Sequence, residues 1–287
     1  MATEPKYIQV HGHRGCRGLL PENTIPAFLR AAALGVDALE LDVVITGDAQ
    51  VLVSHEPWFA SEYCLKPDGS GITPAEETEL NIFRLPYSAI KQYDCGSKPH
   101  PRFPDQQNKP AYKPLLTDVI DSVTTFCQER SIKCPYFNIE IKSTVPSDNL
   151  FHPEPEVFTE LLLDVLAKYN LTDKVMVQSF DVRPLQVLHR LKTNVKLGLL
   201  TEDDTPAEKR LEQLGFIPYA YNPNYSLVSP DLIKLLHAKS IKCFVWTVNG
   251  EDIVQKMLAF GVDGIITDYP EMVLNQVKSS YISTKTS

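Results

Sequence analysis

The chain has 287 residues, of which 43% are hydrophobic and 22% charged, a globular composition that excludes a disordered chain and suits one large domain. Its net charge is −8, from 28 basic and 36 acidic residues, which disfavours nonspecific binding to nucleic acid or to an anionic membrane surface. A phosphate-bearing ligand would therefore need local positive charge, from a metal or from a few Arg and Lys side chains in a pocket.

Short apolar runs alternate with amphipathic stretches along the sequence. In chain order, the pattern predicts strands over residues 7–11, 38–45, 136–141, 175–180, 195–200, 220–222, 243–248 and 264–267. Helices are predicted over residues 24–34, 116–130, 156–169, 183–191, 207–214, 230–238, 252–260 and 271–281. Ser229-Pro230 and Asn249-Gly250-Glu251-Asp252 look like helix starts, and Gly35, Gly215 and Gly261 like helix stops. Such alternation argues for parallel βαβ units in an α/β fold. Eight units suit a (β/α)8 TIM barrel, although a doubly wound sheet would give a similar string. The rhythm breaks from about 57 to 113, where Pro, Gly, Asp and Asn abound and only residues 86–92 look helical. A segment this long reads as an insertion after the second strand. On a barrel it would rise over the C-terminal face and shape access to a site there, so the expected organisation is one domain, 1–287, with an insertion.

Six cysteines occur without a CxxC pair, and free thiols in a reducing compartment are expected. Cys127 and Cys134 flank a predicted helix end and form the one candidate pair. The N-terminal MATEPKYIQV lacks a secretory signal. A cytoplasmic location is expected as the chain stands, or a periplasmic or secreted one if a signal has been removed. No apolar run is long enough to span a bilayer, so stable membrane insertion is not expected.

Four polar constellations fall at or just past predicted strand ends, where barrel active sites are built. HGHRG, residues 11–15, closes the first strand. There Arg14 could grip a phosphate oxygen and His13 could exchange a proton near neutral pH. In the second strand Glu40 and Asp42 are two residues apart and share one face. Two carboxylates facing a barrel interior repel and are costly to desolvate unless a hard divalent cation such as Mg2+ or Ca2+ binds them. SHEP, residues 54–57, follows the apolar run 51–53 and would set His55 at the barrel mouth. NIEIK, residues 138–142, places Glu140 and Lys142 on one face of the strand after the insertion; Glu140 would complete the metal shell and Lys142 hold a phosphate oxygen. Each pattern alone also fits a capped strand end, a solvated edge or an ordinary ion pair. Together they gather two His, one Arg, three acids and one Lys on neighbouring strand ends, which scattered polar residues would not do.

HRG, PENT at 21–24, ELDV at 40–43, HEP at 55–57 and the later ExK, with VWTVN at 245–249 and DGIITDYP at 263–270, resemble the glycerophosphodiester phosphodiesterases over nearly the whole chain. The resemblance implies a barrel with an insertion after its second strand unit. It also implies hydrolysis of glycerophosphodiesters to glycerol 3-phosphate and an alcohol. Glu40, Asp42 and Glu140 would hold one divalent cation, Mg2+ or Ca2+, and His13 and His55 would divide the acid and base roles. Arg14 and Lys142 would stabilise the phosphorane charge, and the attacker would be water or a neighbouring glycerol hydroxyl. Gln178, Phe180 and Trp246 resemble positions lining the glycerol pocket, while Asp268 reads as a cap of the last turn. Many members carry Asp where this chain has Glu56. A related phospholipase C-like or D-like barrel acting on intact lipid is the nearest alternative, but no basic patch or aromatic cluster for a membrane is seen. A noncatalytic barrel that binds phosphate ligands would be expected to have lost a His or a metal acid, and here all are present.

Overall fold

The structure is a computed structural model that describes residues 7–286. Eight parallel strands close into a barrel: β1 (Gln9–Gly12), β2 (Ala38–Ile45), β4 (Tyr136–Ile141), β5 (Val175–Ser179), β6 (Lys196–Thr201), β7 (Ala220–Pro223), β8 (Lys242–Val245) and β9 (Gly264–Thr267). A short strand, β3 (Val51–Val53), lies antiparallel on β2. Closure comes from β1, which pairs with β9 on one side and β2 on the other. The helices α1 (Ile25–Leu34), α3 (Leu116–Glu129), α4 (Pro155–Lys168), α5 (Val182–Arg190), α6 (Ala207–Leu214), α7 (Pro230–Ala238), α8 (Glu251–Phe260) and α9 (Pro270–Thr286) follow the strands, and α2 (Tyr87–Ile90) belongs to the insertion. The chain is therefore a (β/α)8 TIM barrel, which excludes the doubly wound sheet.

Local chemistry sets these elements. Ser229 caps α7 by accepting from Leu232 N at 3.2 Å, and Pro230 occupies the first helical position. Helices α1, α6 and α8 end on left-handed Gly35, Gly215 and Gly261. Every residue of β2 is buried, as expected for a strand with helices on one side and a filled barrel on the other. Leu39, Leu41, Val43 and Ile45 join the main core, while the intervening positions turn the other way and carry Glu40 and Asp42. At the base of the barrel Met176, Ala220, Phe244 and Ile266 pack as an inner layer. His11, fully buried, lies 4.9 Å from the Phe244 ring and 2.9 Å from Tyr136 Oη, so it serves the core.

The insertion builds a second small core from Phe59, Tyr63, Ile72, Ile82 and Ile90 against Val44 and Leu52. The thiol expectation fails here, because Cys64 and Cys95 form a disulfide. No CxxC spacing marked them; the turns between them bring residues 31 apart in sequence together. Cys16, Cys127, Cys134 and Cys243 take part in no disulfide, so the candidate pair Cys127 and Cys134 is unbridged. Among the described residues, no helix is long and apolar enough to cross a membrane.

Candidate active site

The strand register explains how the acids meet. Asp42 stands opposite Glu140 across the β2–β4 ladder, and Glu40 opposite Asn138, so side chains two residues apart on one strand share a face with those of the next. Oxygens of Glu40, Asp42 and Glu140 lie within 4.8 Å of one another, and all three residues are buried. Burial and the neighbouring charges of Asp42 and Glu140 push Glu40 well above the usual carboxylate range. Glu140 is also raised, chiefly by burial, although Lys142 opposes this. Asp42 is held ionised despite its burial, through Arg14, His55 and Lys142. Its Oδ1 is buried with no hydrogen-bond partner. Three crowded oxygens and one unsatisfied acceptor fit a hard divalent cation, which would supply the missing charge and ligand field.

Each acid is held from behind. The Arg14 backbone N–H donates to Glu40 Oε2 at 3.0 Å and Gln178 Nε2 donates to Oε1 at 3.1 Å. Asn138 and Asn222 donate to Gln178 Oε1 at 3.2 and 2.7 Å, fixing the amide so that its NH2 faces Glu40. Gln178 is thus a buried support of the acid cluster, beneath the place where a substrate would lie. Asn23 Nδ2 donates to Asp42 Oδ2 at 2.9 Å, and Lys142 Nζ to Glu140 Oε1 at 2.6 Å. The HGHRG turn makes this convergence geometrically feasible. A Cβ on Gly12 would sit 2.2 Å from the Gly15 carbonyl oxygen, and Gly15 adopts φ +87° against Ala27.

Both histidines are oriented by carboxylates. His13 Nδ1 lies 2.7 Å from Asp268 Oδ1, which leaves Nε2 facing the acid cluster, 4.0 Å from Glu40 Oε2. Burial lowers His13 to about 4 even though Asp268 opposes the shift. Asp268 also receives Arg17 through Nε at 2.8 Å and Nη2 at 3.0 Å, and Asn249 Nδ2 at 2.7 Å. It is therefore a buried partner of His13 and more than the turn cap its position in ITDYP suggested. His55 Nδ1 lies 2.6 Å from Glu56 Oε1, and this pair is partly exposed. Arg14 differs from expectation in its partners. Its Nη1 donates to Glu22 at 2.6 Å and its Nε lies 3.2 Å from Asp42, so the guanidinium is anchored by acids while bordering the pocket.

A cavity of about 590 Å³ opens above the cluster. His13, Arg14, Glu40, His55, Glu140, Lys142, Gln178, Phe180 and Trp246 all border it, whereas Asp42 lies beneath. Phe180 and Trp246 meet edge to face at 5.5 Å, and Trp246 is fixed by its Nε1–H bond to the Asn222 carbonyl at 2.8 Å. Sequence reasoning missed Glu22, Arg17 and Asp268 as parts of this site. Only PENT and ITDYP, as motifs, pointed near two of them.

Residues 13–272 match the glycerophosphoryl diester phosphodiesterase family. A glycerophosphodiester phosphodiesterase from Caldanaerobacter subterraneus subsp. tengcongensis is 31% identical over 269 residues, spanning 94% of this chain and 97% of that protein. A solved structure from Silicibacter pomeroyi DSS-3 superposes with a TM-score of 0.85 at 26% identity, covering 96% of this chain and 95% of the other. An Oleispira antarctica phosphodiesterase, solved with its product sn-glycerol-3-phosphate, superposes at 0.74 with 22% identity over 95% of this chain and 97% of that one, a likeness of fold. The match over most of the chain, together with the acid cluster and the two carboxylate-held histidines on one barrel rim, makes this protein a member of the glycerophosphoryl diester phosphodiesterase family of phosphoric diester hydrolases.

Proposed function

We propose that the chain hydrolyses glycerophosphodiesters to glycerol 3-phosphate and an alcohol, using one divalent cation, Mg2+ or Ca2+, and paired histidine acid–base catalysis. The carrying observation is the buried cluster of Glu40, Asp42 and Glu140, in which Asp42 Oδ1 accepts no hydrogen bond, set between two histidines whose Nδ1 edges face carboxylates. The names of the relatives support the same substrate class. When bound at the three acids, the cation would neutralise them and polarise the phosphoryl group.

The protein's own groups divide the remaining work. Lys142 and Arg14 border the cavity as fixed cations for the phosphate. Phe180 and Trp246 offer an apolar wall for the glycerol carbons. His13 is desolvated and neutral, with its Nδ1 proton held by Asp268, so Nε2 presents a lone pair to the attacking hydroxyl and acts as base. His55, nearer solvent and backed by Glu56, protonates the departing alcohol. The test is glycerophosphocholine turnover with and without EDTA, then in His13→Ala and His55→Ala. Loss of turnover in all three is expected, by about 10²–10⁴-fold for each histidine. Full activity after metal removal or in either variant overturns the reading, and turnover of intact phospholipid alone would move it to the lipid-directed alternative.

A further inference from the structure

Glu56 carries the side chain that departs from the Asp common in the resembling family, and both of its carboxylate oxygens are engaged. Oε1 faces His55 Nδ1 at 2.6 Å, and Oε2 accepts from Tyr63 Oη at 2.8 Å. Its backbone carbonyl accepts from Ser54 Oγ at 2.6 Å, and Ser54 Oγ in turn accepts from Lys113 Nζ at 2.7 Å. Lys113 is buried, with its ammonium 5.6 Å from the Tyr63 ring centroid. Tyr63 is buried too, stacks on His100 at 5.5 Å and 9°, and immediately precedes Cys64 of the Cys64–Cys95 disulfide. The two ends of the insertion thus converge on one residue, Tyr63 on the Glu56 carboxylate and Lys113, through Ser54, on the Glu56 backbone carbonyl.

We propose that Glu56 is a positioning residue for the acid His55, and that Tyr63 of the disulfide-tied insertion holds Glu56 in place. The arrangement repeats on this side of the site what Asp268 does for His13, so the site contains two carboxylate–histidine dyads, each set from a different part of the fold. The inference rests on the acid role given to His55 above. In that step the phosphorus–oxygen bond to the alcohol breaks with its electron pair on oxygen, and that oxygen takes the Nε2 proton of His55. The imidazole is left neutral, keeping its Nδ1–H, which donates to Glu56 Oε1. The attacking hydroxyl oxygen bonds to phosphorus and yields its proton to His13 Nε2. Glu22, Asp42 and Glu140 are the further acids, and Arg14 and Lys113 the cations, that surround this dyad electrostatically.

The test compares two substrates on the metal-loaded enzyme. One is glycerophosphocholine, whose alcohol must be protonated as it leaves. The other is the 4-nitrophenyl ester of glycerol 3-phosphate, whose nitrophenolate leaves without a proton. Glu56→Gln and Tyr63→Phe remove one charge or one hydroxyl with little change of volume, and thermal melting verifies folding. Glu56→Gln is expected to lose at least about 10-fold more kcat on the choline ester than on the nitrophenyl ester, a part of the ~10²–10⁴ that a general acid contributes. Tyr63→Phe is expected to shift the same ratio in the same direction by less. Equal losses on both substrates would show a merely structural role and overturn the proposal, as would an unchanged ratio. Should Glu56→Gln fail to fold, the Tyr63→Phe ratio decides. His55→Ala separates the two levels: if it shifts the ratio and the other variants do not, only the positioning proposal fails, whereas no shift in His55→Ala removes the acid assignment beneath it.

Discussion

Asp268→Asn isolates the role of one buried carboxylate. Both oxygens are doubly occupied by donors, Oδ1 by His13 and Arg17 Nε, Oδ2 by Arg17 Nη2 and Asn249. An asparagine offers one oxygen and one NH2, so in either orientation the NH2 confronts two donors. Asn249 cannot turn to relieve this, because its own Oδ1 already accepts from the Asp268 backbone N–H at 3.0 Å and from Thr267 Oγ1 at 3.3 Å. The remaining relief is for His13 to move its proton to Nε2 and accept at Nδ1, which removes the base. A kcat loss of about 10²–10⁴ is expected, the range for an orienting acid in a triad or for a general base. Arg17 loses its buried counter-charge, with Glu22 its next acid at 3.7 Å. Breaking such a pair costs about 3–5 kcal/mol, or a Tm lower by roughly 6–10 °C for a chain of this size. Asp268 is held ionised well below the usual range because His13 and Arg17 outweigh its burial. Its depressed carboxyl contributes stability above about pH 4 that is lost as pH falls below it, so the Tm gap between wild type and variant should close in acid. Glycerophosphocholine turnover and melting curves between pH 3 and 8 measure both effects. Retained turnover, or a gap that persists unchanged in acid, would refute the reasoning.

Three further outcomes are expected. Glu40 and Glu140 titrate above the usual range when no cation is bound, so their stabilising contribution is present at low pH and lost as pH rises through the folded values. Added Mg2+ or Ca2+ should therefore raise Tm more at pH 8 than at pH 5, by an amount equivalent to about 2.7 kcal/mol at 100 times Kd, and Glu40→Gln should abolish the rise; a flat response would count against the site. Burial lowers His11 to about 3, so the unfolded chain binds a proton first and stability falls as pH drops from about 6.5 to 3, by up to roughly 4–5 kcal/mol. Urea titrations of His11→Gln should show a shallower acid limb than wild type. Thiol counting in denaturant should give four reactive groups before reduction and six after, and reduction should cost about 3–4 kcal/mol from the loop between Cys64 and Cys95, read as a lower Tm in dithiothreitol.

Much of the fold was legible because the signals are local. Short apolar runs, glycine stops after α1, α6 and α8, and the Ser229 cap each act within a few residues. The acid triad was legible for the same reason: Glu40 and Asp42 are two apart on one strand, and Glu140 and Lys142 two apart on another. The disulfide was not legible, because nothing in the spacing of six cysteines selects Cys64 and Cys95. Arg14 read as a phosphate ligand, yet the fold also gives it Glu22 and Asp42 as partners.

By itself, then, the chain sequence determined the βα alternation and singled out the three acids and the two histidines as candidates, since side-chain spacing and βα rhythm are short-range properties, whereas β1 pairing with both β2 and β9 decided for a closed barrel over a doubly wound sheet. The tertiary structure decided what holds them. Asp268 reaches His13 across 255 residues only because β1 pairs with β9 to close the barrel. Tyr63 and Lys113 reach the region of His55 only because the insertion folds onto its own core and returns to the barrel beside Ser54. Contacts of that separation follow from ring closure and loop packing, which no local periodicity encodes.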